Sequence, residues 1–141
     1  MCPGWRFCVV TDERGVNWCE EKQLNNIEVY SGLSSSRLKS LYMQSKAVFH
    51  PSHYEGFGLP ALEGLSVGTP VVFRKNTPAS DFMPSFLPCG FESEQEAVEQ
   101  LETVLSSDYG DEIREWYVSE VPTWDHYTDD LVRIYRDTME L

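Results

Sequence analysis

Pro51-Ser52-His53-Tyr54-Glu55-Gly56-Phe57-Gly58-Leu59-Pro60-Ala61-Leu62-Glu63 is the stretch on which the fold turns. It follows the apolar run Ala47 to His50 and leads into Pro60 to Val67, a short helix with Pro60 near its first turn and Gly68 at its end. The order is therefore strand, glycine-bearing loop, helix. In open α/β sheets the crevice at the carboxyl end of such a strand is where ligands bind. Gly56 and Gly58 allow backbone conformations and close approaches that a Cβ would forbid. The N–H groups opening the next helix carry a partial positive charge suited to phosphate.

Two carboxylates bracket this loop, Glu55 on its near side and Glu63 one turn into the helix. Carboxylates are poor phosphate ligands but good acceptors for hydroxyls, each charge-assisted bond contributing about 1.5–3 kcal/mol. Hydroxyl acceptors at both ends of a row of backbone donors fit a ligand with hydroxyls at both ends and phosphate between them. A nucleotide-sugar has that form.

Working outward, Phe7 to Val10, Ile27 to Tyr30 and Pro70 to Phe73 are further apolar runs, continuous rather than alternating and bounded by turn residues. With Ala47 to His50 they read as buried parallel strands alternating with helices. Ser34 or Ser35 caps a helix carrying Leu38, Leu41 and Tyr42, and Asn17 to Asn26 has room for a short one. Asn76 to Pro88, with its three prolines, reads as a surface loop, and Leu87 to Phe91 is a candidate fifth strand. Ser93 with Glu96 forms a capping box ahead of the apolar face Ala97, Val98, Leu101, Val104 and Leu105. A helical piece follows around Ile113, Trp116 and Tyr117. Thr123 caps a last helix whose face Trp124, Tyr127, Leu131, Ile134 and Tyr135 has core spacing. The expectation is one α/β, Rossmann-like domain over residues 1–141, with a mainly parallel sheet of four or five strands, helices on both faces and closing helices.

The central stretch resembles the E-x7-E motif of retaining glycosyltransferases of the GT-B fold, the glycogen-synthase-like and sucrose-synthase-like enzymes that include glycosyltransferase family 4. Glu55 and Glu63 enclose seven residues, and Pro51-Ser52, Gly56-Phe57-Gly58-Leu59-Pro60 and Val67-Gly68-Thr69-Pro70-Val71-Val72 follow the same pattern. Val29 to Leu33 and the end from Thr123-Trp124-Asp125 to Ile134-Tyr135 are similar to the family's flanking elements.

The resemblance implies the C-terminal, donor-binding half of a GT-B fold. Glu55 would be catalytic and lie against the donor sugar. Gly56, Phe57, Gly58 and Leu59 would face sugar and phosphates, and Glu63 would hold the ribose. It also implies glycosyl transfer with retention, from a UDP-, GDP- or ADP-sugar, with no cofactor and no metal. The acceptor-binding N-terminal domain has no counterpart in these residues, nor has the family's first strand and helix with its phosphate-binding Arg and Lys. That partner is expected in cis or in trans, and the alternative is a remnant or interaction module without transfer activity. Arg74, Lys75, Arg14 and His53 are the candidate substitutes at the phosphates. His50, in an apolar strand, reads as a packed residue. A phosphate-sensing receiver-like domain would need clustered aspartates at strand ends, whereas Asp12 stands alone.

Charge narrows the partners. Of the 23 acidic residues in this 141-residue chain, fifteen lie after residue 91, against only Arg114, Arg133 and Arg136 of the 11 basic ones. The half bearing the motif is balanced, so the net charge of -12 belongs to the closing helices. Screening over about 8 Å at physiological salt shields a bound diphosphate from most of it. No stretch is basic enough to track a nucleic acid. No apolar run approaches the ~18 residues that span a bilayer, which speaks against membrane insertion. The four cysteines follow no metal or redox spacing, so free thiols and a cytoplasmic location are expected.

Overall fold

A computed structural model describes residues 4–23, 25–87 and 89–139. The chain divides into two compact units, Met1–Leu41 and Tyr42–Leu141. In the first, β1 (Phe7–Val10) and β2 (Ile27–Tyr30) pair in parallel, Phe7 opposite Ile27 and Val10 opposite Tyr30. Between them runs α1 (Glu13–Glu21). Helix α2 (Ser35–Gln44) follows and passes through the boundary between the units. Its start is capped by Ser34, whose Oγ accepts from the Arg37 N–H at 3.3 Å.

In the second unit β3 (Val48–His50), β4 (Val71–Arg74) and β5 (Gly90–Phe91) form a parallel ladder with β4 in the middle. Helix α3 (Leu59–Ser66) connects β3 to β4, and α4 (Glu94–Leu105), α5 (Gly110–Glu120) and α6 (Trp124–Met139) close the chain. The α/β layering and parallel pairing are those expected, with the five strands of the described residues shared between a two-stranded and a three-stranded ladder.

The core of this unit forms around β4. Val71 and Val72 are fully buried because the strand is hydrogen-bonded on both sides and packed by α3 and α4. Leu65, Phe91, Val104 and Ile113 complete that core. Completely burying an aliphatic or aromatic side chain of this size contributes about 1.5–3 kcal/mol. Helix α3 lies close over β3: a Cβ added at Gly64 would come within 2.7 Å of Val48 Cγ2. The helix ends as expected at Gly68, whose φ of +82° and N–H bond to Leu65 O stop the spiral.

Several expectations are corrected. Helix α1 begins at Glu13, earlier than Asn17, because Asp12 caps it by accepting from the Gly15 N–H at 2.9 Å. The solitary aspartate thus has a structural task. The runs in β1 and β2 are only half-buried, since each strand of that ladder has one neighbour, and Val10 is 45% exposed. The segment after residue 75 is not simply a surface loop. Pro78–Phe82 form a 3-10 turn, and Thr77, Ala79, Pro84 and Leu87 are buried. Its prolines break regular structure without forcing exposure. Strand β5 is shorter than Leu87 to Phe91, and Pro88 lies outside the described residues.

In the capping box, Ser93 Oγ accepts from the Glu96 N–H, but the Glu96 carboxylate accepts from the Glu92 N–H. The predicted core face of α6 is solvent-exposed in the structure, with Leu131, Ile134 and Tyr135 53%, 56% and 66% exposed. Its spacing is amphipathic, but no described neighbour covers these residues. The side chain of Trp124 lies outside the described set.

Cys8, Cys19 and Cys89 are free thiols. Burial pushes the Cys89 thiol up to about 12, and the residue has no exposed surface. Native protein treated with iodoacetamide near pH 8 is therefore expected to keep Cys89 unmodified until denaturant is added, read by peptide mass spectrometry. Rapid native alkylation of Cys89 would contradict its burial.

Candidate functional site

The loop between β3 and α3 leaves the carboxyl end of β3 at Pro51 and re-enters regular structure at Leu59. Arg74, the last residue of β4, ties its start down. The guanidinium donates to Pro51 O at 3.2 Å and to Glu92 O at 3.1 Å, and lies 5.0 Å from the Phe91 ring centre. One side chain thus joins the carboxyl ends of all three strands of this ladder.

The far end of the loop is fixed by Gly58. Its φ of +81° lies in the left-handed region, and a Cβ there would come within 2.9 Å of Ala79 Cβ. Ala79 belongs to the 3-10 turn, and Phe57 packs against Phe82 of the same turn with ring centres 4.5 Å apart. The turn is the floor on which the loop rests. Gly58 O accepts from the N–H groups of Ala61 and Leu62. Among the described residues, the N–H groups of Gly56, Phe57, Gly58 and Leu59 donate to no protein acceptor. Unpaired N–H groups at a helix start are donors of the kind an anion accepts from.

The two glutamates are each held by one oxygen. Glu55 Oε2 bonds to Nε2 of His50, the last residue of β3, and both side chains are only 10% exposed. Glu55 Oε1 is buried and has no partner in the structure. Glu63, exposed on α3, accepts through Oε2 from the Tyr42 hydroxyl at 3.0 Å. Burial, then the bond to Glu63 and its charge, push the Tyr42 phenol well above the usual tyrosine range. Tyr42 O in turn accepts from the buried Thr69 hydroxyl at 2.9 Å, linking α2 to the start of β4.

The cation candidates differ in how they are engaged. Arg74 is engaged with carbonyls and a ring, as above. Lys75 sits 3.8 Å from the Glu96 carboxylate, His53 is exposed on the loop, and Arg14 is exposed in the first turn of α1, in the other unit. Of the other histidines, His126 lies on exposed α6. His50 and Tyr42 are the residues that sequence reasoning passed over as site components. For His50 the available signal was a polar residue at a strand's carboxyl end, where α/β sites lie. For Tyr42, on a different helix from Glu63, there was none.

A family model for glycosyl transferases group 1 matches residues 4–115. The MMP alpha-(1->4)-mannosyltransferase of Mycolicibacterium hassiacum is 44% identical over 46 residues, which are 33% of this chain and 11% of that protein. The O-antigen chain mannosyltransferase B of Escherichia coli is 54% identical over 35 residues, 25% of this chain and 9% of the relative. The crystal structure of TarM matches with a TM-score of 0.70 at 19% identity, covering 95% of this chain and 29% of that one. At that identity the likeness is one of fold. The chain spans about a tenth of each curated relative in these matches.

Two outcomes test the geometry. Gly58→Ala is expected to destabilise the protein by about 1–3 kcal/mol, through left-handed strain and the clash with Ala79, lowering the thermal midpoint. An unchanged midpoint would contradict the close approach. In alkaline titration followed by phenolate absorbance, Tyr42 is expected to ionise above the ordinary value of about 10. A phenol whose folded pKa is raised loses stability as pH climbs past its unfolded value. Stability should accordingly fall less steeply there in Tyr42→Phe. Identical alkaline profiles for the two proteins would refute the Tyr42–Glu63 bond.

Proposed function

Because this chain belongs to the glycosyl transferases group 1 family, we propose that it forms the nucleotide-sugar-binding part of a retaining glycosyltransferase of the GT-B type. The observation that carries this reading is the buried, unpartnered Oε1 of Glu55 beside a row of four unpaired loop N–H groups. A buried acceptor without a donor costs about 1–3 kcal/mol, which a ligand hydroxyl would recover. The adjacent N–H groups supply what a diphosphate needs.

In this arrangement the donor sugar lies against Glu55 and its diphosphate over Gly56, Phe57, Gly58 and Leu59. The ribose reaches Glu63, whose Oε2 is held by Tyr42 so that the remaining oxygen takes a ribose hydroxyl. When the sugar leaves, negative charge grows on the diphosphate oxygen, and donors fixed in place beforehand stabilise that charge without reorganising. Glu55 carries the catalytic share of the site by fixing the sugar through its hydroxyl. Neither a metal nor a cofactor is assigned a role. Arg74, Lys75, Arg14 and His53 remain candidates at the phosphates, with Lys75 and His53 having the fewest competing bonds in the second unit. The acceptor and its binding surface belong to a further domain, in cis or in trans. Two relatives are named mannosyltransferases, which makes a mannose-bearing nucleotide the first donor to test. A cytoplasmic location is part of the same proposal; among the described residues, no helix is long and apolar enough to cross a membrane.

Calorimetric titration with UDP-glucose, GDP-mannose and ADP-glucose tests the reading. One of them is expected to bind, and Glu63→Ala to weaken that binding by about 1.5–3 kcal/mol, or roughly 10- to 150-fold. Absence of binding by all three at millimolar concentration would instead favour a module without donor affinity of its own.

A further inference from the structure

Glu55 is anchored from one side only. His50 ends β3, where pairing with Phe73 of β4 fixes its backbone, and its ring is buried beside Glu55. With Glu55 as a carboxylate, which accepts and does not donate, the proton in the contact is carried by His50 Nε2. That contact occupies Oε2. The other oxygen, Oε1, lies buried without a partner, 3.4 Å from where a Cβ at Gly58 would stand.

Resting on the donor-site reading above, we infer that His50 is a positioning residue for Glu55. By engaging Oε2, it holds the carboxylate in its buried rotamer and leaves Oε1 as the single acceptor for a hydroxyl of the donor sugar. His50 itself does not touch the sugar. A histidine suits the task because its donor sits at the tip of a rigid ring with two rotatable bonds, on a strand end already fixed by the ladder. Without it, both oxygens of Glu55 would be buried without protein donors, and the side chain would swing toward water. The sugar would then lose its contact while the diphosphate kept its backbone donors. His50 should therefore govern the affinity gained from the sugar, separately from the affinity for the nucleotide.

The test compares, by calorimetry, whichever of UDP-glucose, GDP-mannose and ADP-glucose binds best with its own nucleoside diphosphate. In wild type the sugar is expected to add affinity. Glu55→Gln and His50→Phe should each cut that gain about tenfold, the size of one charge-assisted hydrogen bond, with nucleoside diphosphate affinity unchanged. His50→Gln, which returns an N–H donor near the position of Nε2, should restore most of it. A retained gain in His50→Phe, or an equal loss for sugar and diphosphate that His50→Gln does not restore, overturns the inference. Should the sugar add nothing in wild type, the donor-site reading fails, and the inference with it.

An independent measurement needs no ligand and no folded His50→Phe. Long-range 1H–15N spectra of the imidazole are expected to show a protonated His50 Nε2 whose shift changes in Glu55→Gln. An Nε2 signal indifferent to that substitution shows that the pair does not exist, whatever the donor does.

Discussion

The close approach of Gly58 to Ala79 governs the geometry of the loop. The 3-10 turn Pro78–Phe82 rises from the end of β4 and presses Ala79 against a backbone that only a glycine lets come so near. The left-handed conformation at Gly58 then sets the first turn of α3, bringing the N–H groups of Gly56 through Leu59 onto one short stretch of chain. Arg74 holds the opposite end of the loop by its bond to Pro51. With one end fixed by β4 and the other by the 3-10 turn, the loop is anchored at both ends, while Pro51, His53, Tyr54, Gly56 and Phe57 between them face solvent. That is the condition for a binding site whose donors are in place before the ligand arrives.

The two glutamates share a common arrangement. Each has one oxygen engaged by a side chain from an earlier element, His50 on β3 for Glu55 and Tyr42 on α2 for Glu63. A carboxylate free at both oxygens would rotate and would accept from water as readily as from a ligand. One engaged oxygen removes that freedom and leaves a directed acceptor. The two differ in setting: Glu55 is nearly buried, whereas Glu63 is exposed on its helix. The proposed sugar contact is thus the drier one, where a hydrogen bond is stronger and an unmade one costlier. The proposed ribose contact is open to solvent.

Much of this was legible in the sequence, for identifiable reasons. The runs of β1 and β2 matched the strands residue for residue, and β4 was displaced by one, because short apolar runs bounded by turn residues have few other uses. Gly68 and Ser93 acted where their chemistry required. Asp12 was missed as a cap because no apolar periodicity followed it. Ala79 and Pro84 are buried in a segment whose prolines suggested a loop, since proline composition reports on regularity and not on depth. The exposed face of α6 shows the reverse failure: helical spacing of apolar residues says that a face exists, but not what covers it. In the site, the loop and its glutamates were visible as local sequence. His50 and Tyr42 were not, because their roles depend on side-chain contacts that the spacing of residues along the chain does not encode.

The central claim is that the loop between β3 and α3 receives the phosphates and sugar of a nucleotide-sugar. The most direct test is an amide-resolved NMR titration of the 15N-labelled protein with GDP-mannose, UDP-glucose and ADP-glucose. The account predicts saturable shifts at the backbone amides of Gly56, Phe57, Gly58 and Leu59 with one of these donors, and a smaller response there to mannose or glucose alone. Saturable binding that leaves those four amides unmoved would contradict it.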